Sequence, residues 1–104
     1  MGLEVFWSEL AISKLDEVYE YYKTQVNRKL ARKIIKKIIE QTIDIEKLPQ
    51  KGQIEELLSD DDRSFRYLIY SNYKIVYYIN HATNKVIIAT IFDTRQNPKK
   101  LKID

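Results

Sequence analysis

The sequence has no cysteine and only one histidine, one tryptophan, two glycines and two prolines in 104 residues. Without cysteine there is no disulfide, no thiolate nucleophile and no thiolate-bound metal, and a reducing compartment suits the chain. The lone histidine, His81, falls in a turn and cannot build a His or Cys metal cluster, so neither a metal nor another cofactor is expected. So little glycine and proline leaves no room for a flexible linker, and one domain covering residues 1–104 is the expectation. No apolar run approaches the roughly 18 residues of a membrane-spanning helix. The opening MGLEVFWSEL carries Glu4 and Glu9 and has no basic region ahead of an apolar run, so it does not read as a signal peptide. A cytoplasmic chain without membrane contact is expected. GxGxxG, P-loop and GxSxG motifs are absent. The acidic run Glu55, Glu56, Asp60, Asp61, Asp62 lacks the alternation and the glycine of a calcium loop.

What is present fits a soluble globular protein: 44% hydrophobic and 32% charged residues. The net charge of +3 permits an anionic partner such as RNA without requiring one. The placement of the charges therefore matters more than their sum.

Residues 3–7, LEVFW, read as a first strand. Ser8 stands where a helix N-cap belongs, and Ala11, Leu15, Val18, Tyr19, Tyr22 and Val26 recur at helical spacing behind it. A second helix is expected over residues 28–47, on the stripe Ala31, Ile34, Ile35, Ile38, Thr42 and Ile45, widened by Ile39 and Ile43. Its many β-branched residues lower helix propensity, but the period is too long and regular for a strand. LPQKG, residues 48–52, ends it with proline and glycine. With so short a joint at Asn27, the helices form an antiparallel hairpin. After an acidic connection, residues 53–64, three strands follow at residues 65–70, 73–80 and 85–93, turned at SN and NHATN. The expected fold is α+β: an N-terminal strand, a two-helix hairpin, then a three-stranded antiparallel meander, with both helices on one face of an antiparallel sheet and the other face open. The tail TRQNPKKLKID lies against the sheet or hangs free.

Four features carry chemistry. Arg28, Lys29, Arg32, Lys33, Lys36 and Lys37 line the face of the second helix opposite its isoleucines, which suits solvent, phosphates or an acidic partner. Lys51, Arg63, Arg66, Lys74 and Arg95 lie on or beside the strands and converge if the ends of the strands do. Eight tyrosines, four of them between positions 70 and 78, either pack strands or stack bases. His81 reads as surface.

RYLIYSNYKIVYYI resembles the R-x-L-I-Y-x-N-Y-R-I-V-Y signature of the RelE/ParE superfamily of bacterial type II toxins, with Arg66 as its arginine and Lys74 in place of its second one. VFWSELAISKLDEVYEYY, LPQKG and VIIATIFDTRQNP are similar to the superfamily's opening strand and helix, its break after the second helix, and its last strand and tail. The resemblance implies a toxin neutralised by a cognate antitoxin that wraps its helices and sheet, folding as it binds. RelE-like members cleave mRNA on the ribosome; ParE-like members poison DNA gyrase without nuclease chemistry. Cleavage through a 2′-hydroxyl needs a base, cations on the phosphate and an acid for the leaving oxygen. Arg66 and Arg95 would hold the phosphate, with Glu55, Glu56 or Asp93 as base and Tyr70 or Tyr78 stacking or donating a proton; Lys51, Arg63, Lys74 and Tyr78 would bind RNA. The ribosome-dependent mRNA endonuclease is the leading expectation, gyrase inhibition the alternative, and a non-toxic binding domain of the same fold the third. Nuclease members often carry histidine or tyrosine just past the last strand, and DTRQNP has neither.

Overall fold

Two helices and five strands form over residues 3–103, the part of the chain that the computed structural model describes. Met1, Gly2 and Asp104, included in the N-terminal and tail readings, lie outside it. The order is β1 (Glu4–Trp7), α1 (Glu9–Gln25), α2 (Arg28–Glu40), β2 (Gln53–Ile54), β3 (Arg66–Tyr70), β4 (Tyr73–Asn80) and β5 (Lys85–Asp93).

Ser8 starts α1 as its spacing predicts. Its hydroxyl accepts from the Ala11 N–H at 3.0 Å and donates to the Ala89 carbonyl at 2.9 Å, so one side chain caps the helix and ties it to β5. Asn27 caps α2 through the Leu30 N–H at 2.8 Å. The second helix stops at Glu40 rather than at residue 47. Gln41, Thr42 and Ile43 donate three residues back instead of four, the Thr42 hydroxyl bonds the Ile39 carbonyl at 2.7 Å, and Asp44 turns to φ 68°. A hydroxyl that competes for the helix carbonyls and a residue in the left-handed region end a helix that hydrophobic period alone would continue. The turns still deliver Ile45 to the core, fully buried.

The strands form one sheet in the order β1-β5-β4-β3-β2. The meander is antiparallel as expected, but β1 runs parallel to β5, pairing Glu4 with Lys85 through Trp7 with Ile88. The helical hairpin between them is the crossover that parallel strands need. A short strand, β2, which the composition of the acidic connection hid, pairs Gln53 with Tyr67 and Ile54 with Arg66. An irregularity between Val76 and Tyr77 sets Ala89 as an extra residue in β5. This β-bulge lets Ile88 and Ile91, three apart, both face the helices.

The main core lies between the helices and the sheet: Ala11, Val18, Ile38, Ile45, Leu68, Tyr73, Ile75, Tyr77, Val86, Ile88 and Ile91. The opposite face is not open as expected. Phe65, Val76, Ala89, Phe92 and Leu101 form a second cluster there, with Leu58, Tyr67, Tyr78 and Ile103 packed against it. The tail therefore lies against the sheet, held by Leu101 and Ile103. Among the described residues no helix is long and apolar enough to cross a membrane.

Candidate functional site

Strand alternation separates the two charges of the RYLIYSNYKIVYYI signature. Arg66 pairs with Tyr77 and shares the helix-side face with Leu68, whereas Lys74 pairs with Ile69 and shares the far face with Tyr67. The expected convergence of Lys51, Arg63, Arg66, Lys74 and Arg95 does not occur: they divide among three places.

On the helix side, Arg66 braces the loop that ends the helical hairpin. Its Nη1 donates to the Gly52 carbonyl at 2.9 Å and approaches the Gln50 carbonyl at 3.5 Å. The fully buried Tyr77 completes the brace: its hydroxyl donates to the Pro49 carbonyl at 2.7 Å and accepts from the Gly52 N–H at 2.9 Å. Burial pushes the Tyr77 phenol up, so it keeps the proton it donates. The chain passes so close here that a Cβ on Gly52 would stand 2.7 Å from the Tyr67 carbonyl oxygen and from the Tyr77 hydroxyl. Lys51, within this loop, is exposed, and no ion pair among the described residues engages it.

On the far face, Lys74 Nζ meets Glu55 Oε2 at 2.7 Å and lies 4.3 Å from the centroid of the Tyr67 ring. Glu55 is 3% exposed, and its other oxygen accepts from the Leu57 N–H at 3.1 Å. The Arg63 guanidinium binds Asp61 through Nε at 2.9 Å and Nη2 at 2.7 Å, and stands over the rings of Phe65 and Tyr78. The Arg63 side chain, with its backbone N–H, holds the Asp61 carboxyl at about 2, and the carboxylate in turn raises the guanidinium.

Past the end of β5, Arg95 clasps Asp93 at 2.8 and 3.0 Å, and Asn72 Nδ2 donates to the same carboxylate at 2.9 Å. The Arg95 bonds, opposed by partial burial, keep the Asp93 carboxyl below the usual range. A carboxylate so stabilised in its ionised form is a poor proton acceptor near neutrality. The pair lies in a cleft of about 270 Å³ between α1 and the tail, lined also by Lys14, Tyr21, Tyr73 and Lys100.

Two features escaped the sequence reading. One is the pairing of Asp61 with Arg63, whose separation of two residues across a turn is the only signal for it. The other is a groove along the hairpin, floored by Tyr19, Ile35, Ile39 and Ile43 and edged by Arg32, Lys36 and Glu40. Ile39 and Ile43 are 40% and 58% exposed. The isoleucine stripe is wider than the sheet can cover, which is why part of it is left over.

Residues 5–98 match the family described as ParE toxin of type II toxin-antitoxin system, parDE. No curated protein matches the sequence. Among solved structures, the chromosomal ParDE toxin–antitoxin system from P. aeruginosa superposes with a TM-score of 0.72 at 18% identity, over 88% of this chain and 95% of that one. The RelBE2 toxin–antitoxin complex from Mycobacterium tuberculosis does so with a TM-score of 0.61 at 14% identity, over 89% and 99%. At such identities the likeness is one of fold.

Proposed function

This chain belongs to the ParE toxin family of type II toxin–antitoxin systems, and from that premise we propose that it inhibits a target by binding it rather than by cutting RNA. DNA gyrase is the target that the superfamily resemblance implies. One observation supports this reading over the nuclease that the cation content suggested: of the three carboxylates proposed as base, Glu55 and Asp93 are already engaged inside the chain, and Glu56 is exposed with no ion pair among the described residues to hold it in place. Glu55 is buried against Lys74 and the Leu57 N–H, and Asp93 is held by Arg95 and Asn72. A general base must reach its proton: Glu55 is 3% exposed, and the Asp93 carboxylate is held by Arg95 and Asn72.

Induction of the chain without its antitoxin, followed by transcript mapping and a supercoiling assay on the same cells, tests this. Growth arrest with blocked supercoiling and intact transcripts is the expected result. Ribosome-dependent cuts in mRNA with normal supercoiling would establish the endonuclease instead, and unimpaired growth would leave the non-toxic binding domain.

The hairpin groove fits the antitoxin. An apolar floor beside the row Arg32, Lys36 and Glu40 suits an amphipathic segment, laid in as a helix or an extended strap. Ile39→Asp, at an exposed position, is expected to weaken antitoxin binding at least tenfold, about 1.4 kcal/mol, without unfolding the toxin. Titration calorimetry with the antitoxin measures it, and unchanged affinity would place the antitoxin elsewhere.

A further inference from the structure

The outer face of α2 carries charge that the described residues leave almost unbalanced. Arg28, Lys29, Arg32, Lys33 and Lys36 are exposed, and none of them has an ion pair among the described residues. Lys37 has one, to Glu40 at 3.7 Å. The cations of α1 differ: Lys14 pairs with Glu17 at 3.6 Å, and Lys23 with Glu20 at 2.8 Å. The arrangement on α2 also works against the helix. Arg28 and Lys29 stand in the first turn, which holds no acidic residue, at the positive end of the helix dipole. Arg28 and Arg32, Lys29 and Lys33, Arg32 and Lys36, and Lys33 and Lys37 are like charges four positions apart, each an unfavourable pair. The fold gains nothing from these charges, whereas an anionic partner would.

The residue types on this face decide between kinds of partner. Lys29, Arg32, Lys33, Lys36, Lys37 and Glu40 line one depression, and no apolar residue is among them. A protein interface is built around a buried apolar or aromatic anchor. The isoleucine groove beside this face offers a place for one, and this face does not. The helix holds no aromatic residue either, so it has no ring on which an unpaired base could stack. Cations in a row, without rings or apolar anchors, match the sugar–phosphate backbone of a duplex, which charge alone can hold. From Lys29 to Lys37 the row runs about 12 Å along the helix, the length of roughly three or four phosphates on one strand of B-DNA.

We propose that the outer face of α2 binds the backbone of duplex DNA without regard to sequence, while the isoleucine groove on the same helix is left to the antitoxin. The inference rests on the reading of the chain as an inhibitor of DNA gyrase, an enzyme whose substrate is duplex DNA. It deepens that reading by adding a second contact: the toxin holds the DNA beside the enzyme it blocks, and two linked weak contacts bind more tightly than either alone. Helical spacing keeps the two surfaces apart. Lys29 and Lys33 line the cationic depression and not the groove, Ile39 and Ile43 line the groove and not the depression, and Arg32, Lys36 and Glu40 stand between them.

The test is fluorescence anisotropy of a short labelled DNA duplex of mixed sequence, titrated with the separated toxin at several salt concentrations. Three chains are compared: the native one, Lys29→Gln with Lys33→Gln, and Lys23→Gln with Lys47→Gln, which removes the same charge away from this face. The native chain is expected to bind with log affinity falling against log salt at a slope of about −4. The α2 variant is expected to lose about tenfold in affinity and about 2 from the slope, and the control to stay within about twofold of native. Equal losses in both variants would reduce the effect to net charge and overturn the site, as would tighter binding of a single strand of the same length. The α2 variant is expected to keep its urea midpoint or raise it, because a like-charge pair is relieved. A lower midpoint would show that these cations serve the fold, and would overturn the inference. Antitoxin affinity gives a further check: it is expected to be unchanged by Lys29→Gln with Lys33→Gln, and its loss with DNA binding intact would assign the face to an acidic protein instead. The two readings fail separately. A chain that binds DNA through α2 but leaves supercoiling untouched sinks the gyrase reading, whereas blocked supercoiling by a chain without salt-dependent affinity for the duplex sinks the DNA face alone.

Discussion

Gly52→Ala is expected to lower the stability of the toxin by about 3 kcal/mol, one of the largest losses available to a single methyl group in this chain. The added Cβ would meet the Tyr67 carbonyl oxygen and the Tyr77 hydroxyl at 2.7 Å each, and the Tyr77 ring at 2.8 Å. None of these can step aside cheaply. The carbonyl belongs to β3, whose Tyr67 is paired to both Gln53 and Val76. The ring is fully buried, and its hydroxyl is bonded on both sides, to Pro49 and to Gly52 itself. Moving the loop instead would break the Arg66 bond to the Gly52 carbonyl. Urea unfolding of the separated toxin measures the loss as a shift of midpoint at constant slope. A change below about 0.5 kcal/mol would mean that the loop after the helical hairpin is held less tightly than its bonds indicate.

Lys74→Met should cost about as much, roughly 3–5 kcal/mol, for a different reason. The substitution preserves most of the volume but leaves the Glu55 carboxylate, 3% exposed, without its cation. A lone buried charge is far more costly than the pair it came from, because its solvation is lost and nothing replaces it. The same logic predicts recovery: adding Glu55→Leu to Lys74→Met should restore most of the native stability, since an apolar pair of similar size needs no desolvation. Denaturant midpoints of the two single variants and the double variant close a cycle. If Lys74→Met alone is nearly neutral, water reaches Glu55 far more freely than its burial implies.

The alternation of apolar residues made the meander and both helix starts readable before any coordinates. The signature residues also fix the register of the first hairpin. A two-residue turn at SN pairs Tyr70 with Tyr73, hence Ile69 with Lys74 and Arg66 with Tyr77. That register already puts Arg66 and Lys74 on opposite faces, so their separation was written in the chain. Other elements were not legible, for physical reasons. Gln53–Ile54 is too short to show a period, and becomes a strand only because β3 is there to receive it. The end of α2 depends on one hydroxyl and one left-handed aspartate, which a hydrophobic stripe running past them conceals. The far-face cluster draws Leu101 and Ile103 from a tail whose composition is polar and basic, so that two apolar residues among lysines decided where it lies. In the site, residue types pointed to cations and carboxylates in suitable numbers. Which carboxylate silences which cation is a matter of loop path, and no spacing rule supplies that.

The parallel pairing of β1 with β5 also sets a clock. Ser8 and Ala89 are bonded across 81 positions of sequence, and Trp7 pairs with Ile88. On a ribosome, the first strand emerges long before its partner exists, and must wait through the helices and most of the meander. Long-range pairing of this kind slows folding, because the loop must close before the contact rewards it. The hairpin helices, whose contacts are local, can form while synthesis continues. The groove between them can thus take shape before the sheet closes, and a partner made in the same cell has that interval in which to find it.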